Sequence, residues 1–335
     1  MSTSNILDIR DLVVQYNLPG KTVRALQSVN LKVERGEVLA VVGESGSGKS
    51  TLGLAVLGLV KKPGLIRGGN VFFNDIDLLT LSRNELRKIR GKKIAAVPQD
   101  PMTSLNPVRK VREHFVELVK AHDVEMSEEK INDRIRTVFD YVNLPPGTLG
   151  SYPHELSGGM RQRIMISLAL FFGPDIILAD EPTTALDVVT EAQILDILKN
   201  LQRDAGLTMV IFTHNFGIVS RLADRVAVMY AGNLVEVGKL DDMFESPAHP
   251  YTQKLIASIP KLTSSKKDLI FIPGFPPDLS RLPSGCSFHP RCQYATEICT
   301  RVQPELIGED RQYACHNPLL YQQMKGGNRY SQGAA

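Results

Sequence analysis

At 335 residues the chain is long enough for a full hydrophobic core and for two or three subdomains. With 43% hydrophobic and 22% charged residues and no tryptophan it has the composition of a globular protein; no apolar run approaches the ~18 residues of a membrane span, and Met1-Ser2-Thr3-Ser4-Asn5 lacks a basic-then-apolar export pattern. A net charge of +3 is too mild for a dedicated nucleic-acid binder, so the expectation is a cytoplasmic protein whose membrane contact is peripheral.

From the N-terminus, Ile9–Tyr16 and Val29–Val33 read as short strands around a turn at Leu18-Pro19-Gly20, the start of an antiparallel layer. Tyr16, upstream of the first glycine-rich loop, is placed to stack on a base; a structural tyrosine fits the composition equally. The apolar run Val38–Val42 then enters Gly43-Glu44-Ser45-Gly46-Ser47-Gly48-Lys49-Ser50-Thr51, followed by the helical Leu52–Leu57. Glycines in this pattern let successive backbone N–H groups curl into an anion nest, and the following helix aims its positive end at the same point. Lys49 would lie over the β- and γ-phosphates of a nucleotide and the Ser50 hydroxyl would ligate Mg²⁺.

Gly69–Asn74 reads as another edge strand, and Ile94–Val97 as a buried strand leading to Gln99 at its carboxyl end, where open α/β sheets put ligand contacts. Residues 108–155 are more polar, with helices expected over Val111–Ala121 and Glu128–Val142 and a break at Pro145-Pro146-Gly147. Leu156-Ser157-Gly158-Gly159-Met160 is a second glycine turn at a helix start, with Ser157 as its cap; a single phosphate loop has no use for it unless it serves a partner's nucleotide. The buried run Asp175–Ala179 ends in Asp180 and Glu181, and carboxylates there are costly unless something charged meets them. Asp180 would hold Mg²⁺ through water and Glu181 would orient or deprotonate the attacking water. The next strand, Met209–Thr213, ends in His214, a phosphate sensor by its place in the series.

In order along the chain, the loop 43–51, Gln99, the turn 156–160, Asp180-Glu181, Thr184-Ala185-Leu186-Asp187 and His214 make residues 6–255 resemble the ATP-binding subunits of ABC transporters. Gln99–Pro107, Glu181–Asp187 and Ala223–Gly232 are similar to the dipeptide/oligopeptide import branch. The resemblance implies a P-loop α/β fold with a RecA-like parallel sheet, an antiparallel layer and a helical subdomain at about 100–160. It also implies two subunits stacked head to tail, so that the loop of one and the Ser157-Gly158-Gly159 turn of the other enclose each ATP. The implied site has Glu181, His214 and Gln99 as catalytic residues and Ser50, Gln99 and Asp180 around Mg²⁺. Tyr16, Gly43, Ser45, Gly46, Gly48, Lys49, Ser50 and Thr51 would bind the nucleotide, and Asp187 belongs to the loop that meets the second subunit. The implied partners are a second ATPase subunit, in a heterodimer, two transmembrane permease subunits and an extracellular solute-binding protein, with no nucleic acid. The place of work would be the cytoplasmic face of the cell membrane. Two departures stand out: Met160 where the wider family usually has Gln, and Asn215 where an Asp is usual after the histidine. Oligosaccharide import by the same branch, or a soluble ABC ATPase acting on DNA or ribosomes, are the other readings.

The last 75 residues differ from the rest. Residues 1–260 carry 30 Lys+Arg against 30 Asp+Glu, whereas the tail carries 9 against 6 and all four cysteines, Cys286, Cys292, Cys299 and Cys315. Ser246–Thr252 reads as a turn-rich connector, and Ile272–Pro277 with Leu282–Gly285 as an extended linker. The expected division is an ATPase domain over 1–258 and a C-terminal extension over 259–335. Between the cysteines lie five, six and fifteen residues, with no C-x-x-C pair, so by count the thiols suit zinc or a [4Fe–4S] cluster. Gly285–Cys292 and Ala314-Cys315-His316 are similar to the extension of the peptide-import ATPases, some of which carry [4Fe–4S]. That resemblance implies the cluster, with zinc and free or oxidised thiols as alternatives.

Overall fold

Short runs of β-branched and aliphatic residues form the strands, and their ends present the polar residues singled out above. The computed structural model describes residues 5–259 and 272–319; residues 260–271 and 320–335 of the expected extension lie outside the described residues. The chain divides into two units, one of Met1–Leu7, Lys32–Val38 and Phe72–Phe212, the other of Asp8–Leu31, Leu39–Val71 and Thr213–Ala335.

In the first unit three parallel strands, Ile94–Val97, Ile176–Asp180 and Thr208–Thr213, pair in register, with Val97 opposite Ala179 and Asp180 opposite Phe212. They are almost wholly buried, which is why their sequences are continuous apolar runs instead of alternating ones. Because Val97 faces Ala179 across the ladder, Gln99 follows at the same carboxyl edge as Asp180 and Glu181. The helices Val111–Ala121 and Glu128–Tyr141 form where they were expected. Val111, Phe115 and Val119 on one, and Ile131, Ile135 and Phe139 on the other, recur at four-residue spacing and are all buried. Their aromatic seam runs on to Phe171, with ring centroids 5.9 Å apart for Phe115–Phe139 and 5.6 Å for Phe115–Phe171. Each such ring contributes about 2–3 kcal/mol by leaving water, so the seam, more than helix propensity, holds this helical part together. The start of the second helix is fixed by Ser127, whose Oγ accepts from the Lys130 N–H.

The hairpin of Asn5–Leu18 and Lys21–Glu34 turns at Pro19-Gly20, and Gly64–Phe73 joins it on the far side of Asn5–Leu18. Both hairpin strands are longer than the sequence pattern predicts. The stretch Arg24–Ser28 shows no clean alternation, yet pairing carries it into the ladder, with local kinks at Asp11 and Ser28, both at positive φ. There the Asp11 carboxylate accepts from the Ser28 hydroxyl at 2.9 Å and from the Asn30 amide at 3.0 Å. A second set of strands has Val38–Val42 parallel to Arg225–Tyr230, which is antiparallel to Asn233–Lys239. Further along the chain, the short edge strand Gln312–Tyr313 lies beside Asn233–Lys239.

The expected connector spans residues 246–249, after which the helix Pro250–Ala257 begins. Pro250 takes the first helical position, where no N–H is needed, and His249 Nδ1 accepts from the Tyr251 N–H at 3.0 Å. His249 is fully buried, and burial pushes its pKa down to about 3, so the imidazole is neutral and its ring nitrogen is available as that acceptor. Just before it, the fully buried Glu236 carboxylate takes the Ala248 and His249 N–H groups, each at 2.8 Å, and Arg311 Nη2 at 2.8 Å. A buried carboxylate is tolerable only with such a complete set of donors, and here one donor comes from the extension. Among the described residues no helix is long and apolar enough to cross a membrane.

Candidate functional site

The fully buried strand Val38–Val42 delivers Gly43 to the loop in the second unit, and the helix Lys49–Val56 leaves it. A side chain at Gly43 would put its Cβ 2.2 Å from the Met229 carbonyl oxygen. Gly48, at φ 109, closes against the Ala25 carbonyl oxygen in the same way and provides no capping side chain for the helix it opens. Both positions exclude any other residue, and the first helical turn keeps its N–H groups directed into the loop. Lys49 Nζ folds back to donate to the Gly43 and Glu44 carbonyls at 2.7 and 3.0 Å, while Gly232 N–H donates to the Ser47 carbonyl at 2.9 Å. Ser45, Gly46 and Ser50 are exposed, and Thr51 is half-buried. Tyr16 is half-buried, with its ring edge against Gly64, where an added Cβ would come within 2.8 Å.

His214 is exposed at the end of Thr208–Thr213. The next residue, Asn215, caps the helix Phe216–Leu222 by accepting from the Gly217 N–H at 2.8 Å. Asn and Asp cap equally well, so this departure from the family pattern keeps the helix start and removes only a charge.

In the first unit Gln99 is exposed, and Asp180 and Glu181 are half-buried. Glu181 has φ 49, a conformation that costs a residue with a side chain about 1–3 kcal/mol. It is held there by its N–H, which donates to the Phe212 carbonyl at 2.8 Å, and by its Oε2, which accepts from the Thr184 hydroxyl at 2.7 Å. The structure also brings the Ser157 turn and the Asp187 loop together. Ser157 Oγ accepts from the Met160 N–H to open the helix Gly158–Leu170. A Cβ at Gly159 would come within 2.3 Å of Thr190 Cγ2, and one at Gly158 within 3.4 Å of Leu186. Asp187 caps the helix Val188–Ala205, its Oδ1 accepting from the Val189 and Thr190 N–H groups and its Oδ2 from the Thr190 hydroxyl. The Thr190 bonds hold the Asp187 carboxyl below the usual carboxylate range. The contact of Gly159 with that helix was not visible in the sequence.

The four cysteines line one small cavity in the second unit, together with His249, His289 and His316. The His289 N–H donates to the Cys286 carbonyl at 3.0 Å, and the Thr296 hydroxyl lies 3.5 Å from Cys299 Sγ. The Asn317 amide also reaches Cys299 Sγ at 3.7 Å. Burial pushes the Cys286 thiol up to about 11 and the Cys315 thiol up to about 12, and the neighbouring sulfurs push the same way. Among the described residues no three His, Cys, Asp or Glu side chains converge closely enough to hold one metal ion.

A residue at the loop that the sequence did not reveal is Arg291. It forms a bidentate ion pair with Glu44 of the loop, at 2.6 and 3.0 Å, across 247 positions of chain.

Residues 26–184 match the ABC transporter family, and residues 235–299 match the oligopeptide/dipeptide transporter C-terminal region. The oligopeptide transport ATP-binding protein OppD of Salmonella typhimurium is 42% identical over 317 residues, covering 94% of each chain. The dipeptide transport ATP-binding protein DppD of Caldanaerobacter subterraneus subsp. tengcongensis is 44% identical over 316 residues, covering 93% of this chain and 97% of the relative. Among solved structures, the dimeric ATP-binding cassette MJ0796 bound to ADP and Pi superposes with a TM-score of 0.63 at 32% identity, covering 70% of this chain and 98% of that one. With its phosphate loop between a buried strand and a helix, its mixed sheets and this degree of likeness along most of its length, the chain belongs to the ABC ATPase family, among the ATP-binding subunits of oligopeptide and dipeptide transport.

Proposed function

We propose that this chain is the subunit that binds and hydrolyses ATP to power an ABC importer of oligopeptides or dipeptides. The observation that carries the reading is the joining, in one chain, of a complete phosphate loop and signature turn to the C-terminal region of peptide transporters. The relatives described above are peptide transport proteins, which favours peptides over oligosaccharides as the solute. The working place is the cytoplasmic face of the membrane, reached through permease subunits.

In this reading the loop of Gly43, Ser45, Gly46 and Gly48 cradles the phosphates with backbone N–H groups, and Thr51 lies in the helix turn behind them. Lys49 exchanges the Gly43 and Glu44 carbonyls for phosphate oxygens, and Tyr16 stacks on the base. Ser50, Gln99 and Asp180 would hold Mg²⁺, which supplies positive charge to the phosphate oxygens. Glu181, already fixed by Thr184 and the Phe212 carbonyl, takes the proton of the attacking water, and His214 contacts the γ-phosphate. Ser157, Gly158 and Gly159 face the nucleotide of a second ATPase subunit. Asp187 holds the adjoining helix start, so the two parts of that surface move as one. The domain reading is an ATPase over 1–258, with a helical part at about 100–160, and an extension over 259–335.

The assembly comprises a second, non-identical ATPase subunit, two permease subunits and an extracellular solute-binding protein. When the complex is reconstituted in vesicles, ATP hydrolysis is expected to rise with the loaded binding protein and to accompany peptide uptake. Hydrolysis indifferent to the membrane subunits and to peptide would overturn the assignment.

For the cysteine cavity we infer a [4Fe–4S] cluster. Four sulfurs facing one cavity suit thiolates that share a delocalised negative charge. Protein purified without oxygen should be brown, with iron and acid-labile sulfide at about four each per chain. A colourless protein with stoichiometric zinc would reject the cluster.

A further inference from the structure

The phosphate loop is gripped from outside at one residue. Glu44 follows Gly43, and its carboxylate receives Arg291 Nη1 on Oε2 at 2.6 Å and Nη2 on Oε1 at 3.0 Å. Its backbone N–H donates to the Tyr251 hydroxyl at 3.0 Å, and its carbonyl accepts Lys49 Nζ at 3.0 Å. Every polar group of this loop residue is therefore engaged, two of the three by C-terminal elements.

Arg291 lies in the short helical turn His289–Arg291, between Cys286 and Cys292. Its side chain is 5% exposed, and that of Glu44 is 25% exposed. Nε donates to the Pro273 carbonyl at 2.8 Å, Nη1 to the Tyr230 hydroxyl at 3.3 Å, and Nη2 to the Ile272 and Gly274 carbonyls at 3.4 Å each. The guanidinium also lies 5.8 Å from the centre of the Tyr230 ring. Tyr230, Tyr251 and Phe288 pack as one aromatic cluster beneath it, with centroids 4.6 to 5.3 Å apart. A planar fork so thoroughly held has one orientation, and it imposes that orientation on the carboxylate it meets.

We propose that Arg291 is a positioning residue of the ATP site. Through Glu44 it sets the entrance of the phosphate loop, so that nucleotide affinity depends on the C-terminal cysteine module. The proposal rests on the reading that loop 43–51 binds ATP. A buried charge pair used only for stability could be replaced by apolar residues with little loss. Here one charge is instead built into the backbone turn whose N–H directions form the nest. Freeing Glu44 releases the loop at its first bend and leaves Lys49 donating to a carbonyl that is no longer fixed.

The test is the affinity of the full chain for MgATP by calorimetry, with KM, kcat and melting temperature, for Arg291→Met, Arg291→Lys, Glu44→Gln and the double variant Glu44→Gln/Arg291→Met. Arg291→Met is expected to weaken ATP binding by roughly ten- to a hundredfold, the loss falling on KM more than on kcat. Glu44→Gln, which keeps the shape and removes the charge, should weaken it by about tenfold. Arg291→Lys restores charge without the fork and should fall between Met and wild type. The double variant should be no worse than Arg291→Met, because both substitutions break one link. Should Arg291→Met fail to fold, Glu44→Gln and Arg291→Lys carry the test. Wild-type affinity in all folded variants, with only the melting temperature lowered, would overturn the proposal and make the pair structural. Absence of ATP binding by the wild-type chain would overturn the assigned function as well.

Discussion

Replacing Glu181 by Gln is expected to leave ATP binding intact and to lower steady-state hydrolysis by about 10²–10⁴-fold, the usual contribution of a positioned general base. The amide has the size and shape of the carboxylate, and its oxygen can still accept from Thr184, so the turn at φ 49 is preserved. What disappears is the capacity to take a proton from water. The location supports the role: a half-buried carboxylate at the end of a fully buried strand, held in a conformation disfavoured for any residue with a side chain, is the kind of local cost that persists at working sites. The measurement is phosphate release under saturating ATP, with affinity followed separately. Retained turnover with normal affinity would remove Glu181 from the base role and move attention to His214 and Gln99.

Lys49→Ala is expected to act on the other quantity, lowering affinity for MgATP by about 10–100-fold, in keeping with the ~1.5–3 kcal/mol typical of hydrogen bonds to charged groups. Lys49 is buried and spans the loop, with its ammonium on the Gly43 and Glu44 carbonyls. Those acceptors are neutral, and a phosphate oxygen competes well with them because its bond to an ammonium is charge-assisted. Removing the side chain also removes an internal tie of the loop, so the melting temperature without nucleotide must be measured alongside. An unchanged melting temperature with lost affinity assigns the effect to the phosphates. Unchanged affinity would exclude Lys49 from the site.

The extent to which the fold and site could be read from sequence follows from the range of the interactions involved. The phosphate loop was legible because its requirement is local: Gly43 and Gly48 have no room for a side chain, and only glycine at those spacings lets the backbone turn inward. Ser157 was legible as a helix start for the same reason, since a cap acts over two or three residues. Strands such as Ile94–Val97 and Ile176–Asp180 declared themselves by continuous apolar runs. Where local signals conflicted the reading ran too far: residues 246–249 form the expected connector, yet His249 also caps a helix whose first residue is Pro250.

The sequence by itself determined the chemistry available to this protein. It places a nest for phosphates, an ammonium, carboxylates at strand ends and four thiols in the tail, because each is set by residue type and short spacing. Only the tertiary structure decided which of these act on one another. The closing of the four cysteines on one cavity, the packing of Gly159 against Thr190 and above all the seating of Arg291 on Glu44 depend on side chains meeting across long stretches of chain. Such meetings are selected by burial and by the need to satisfy every buried charge, conditions that no local pattern encodes.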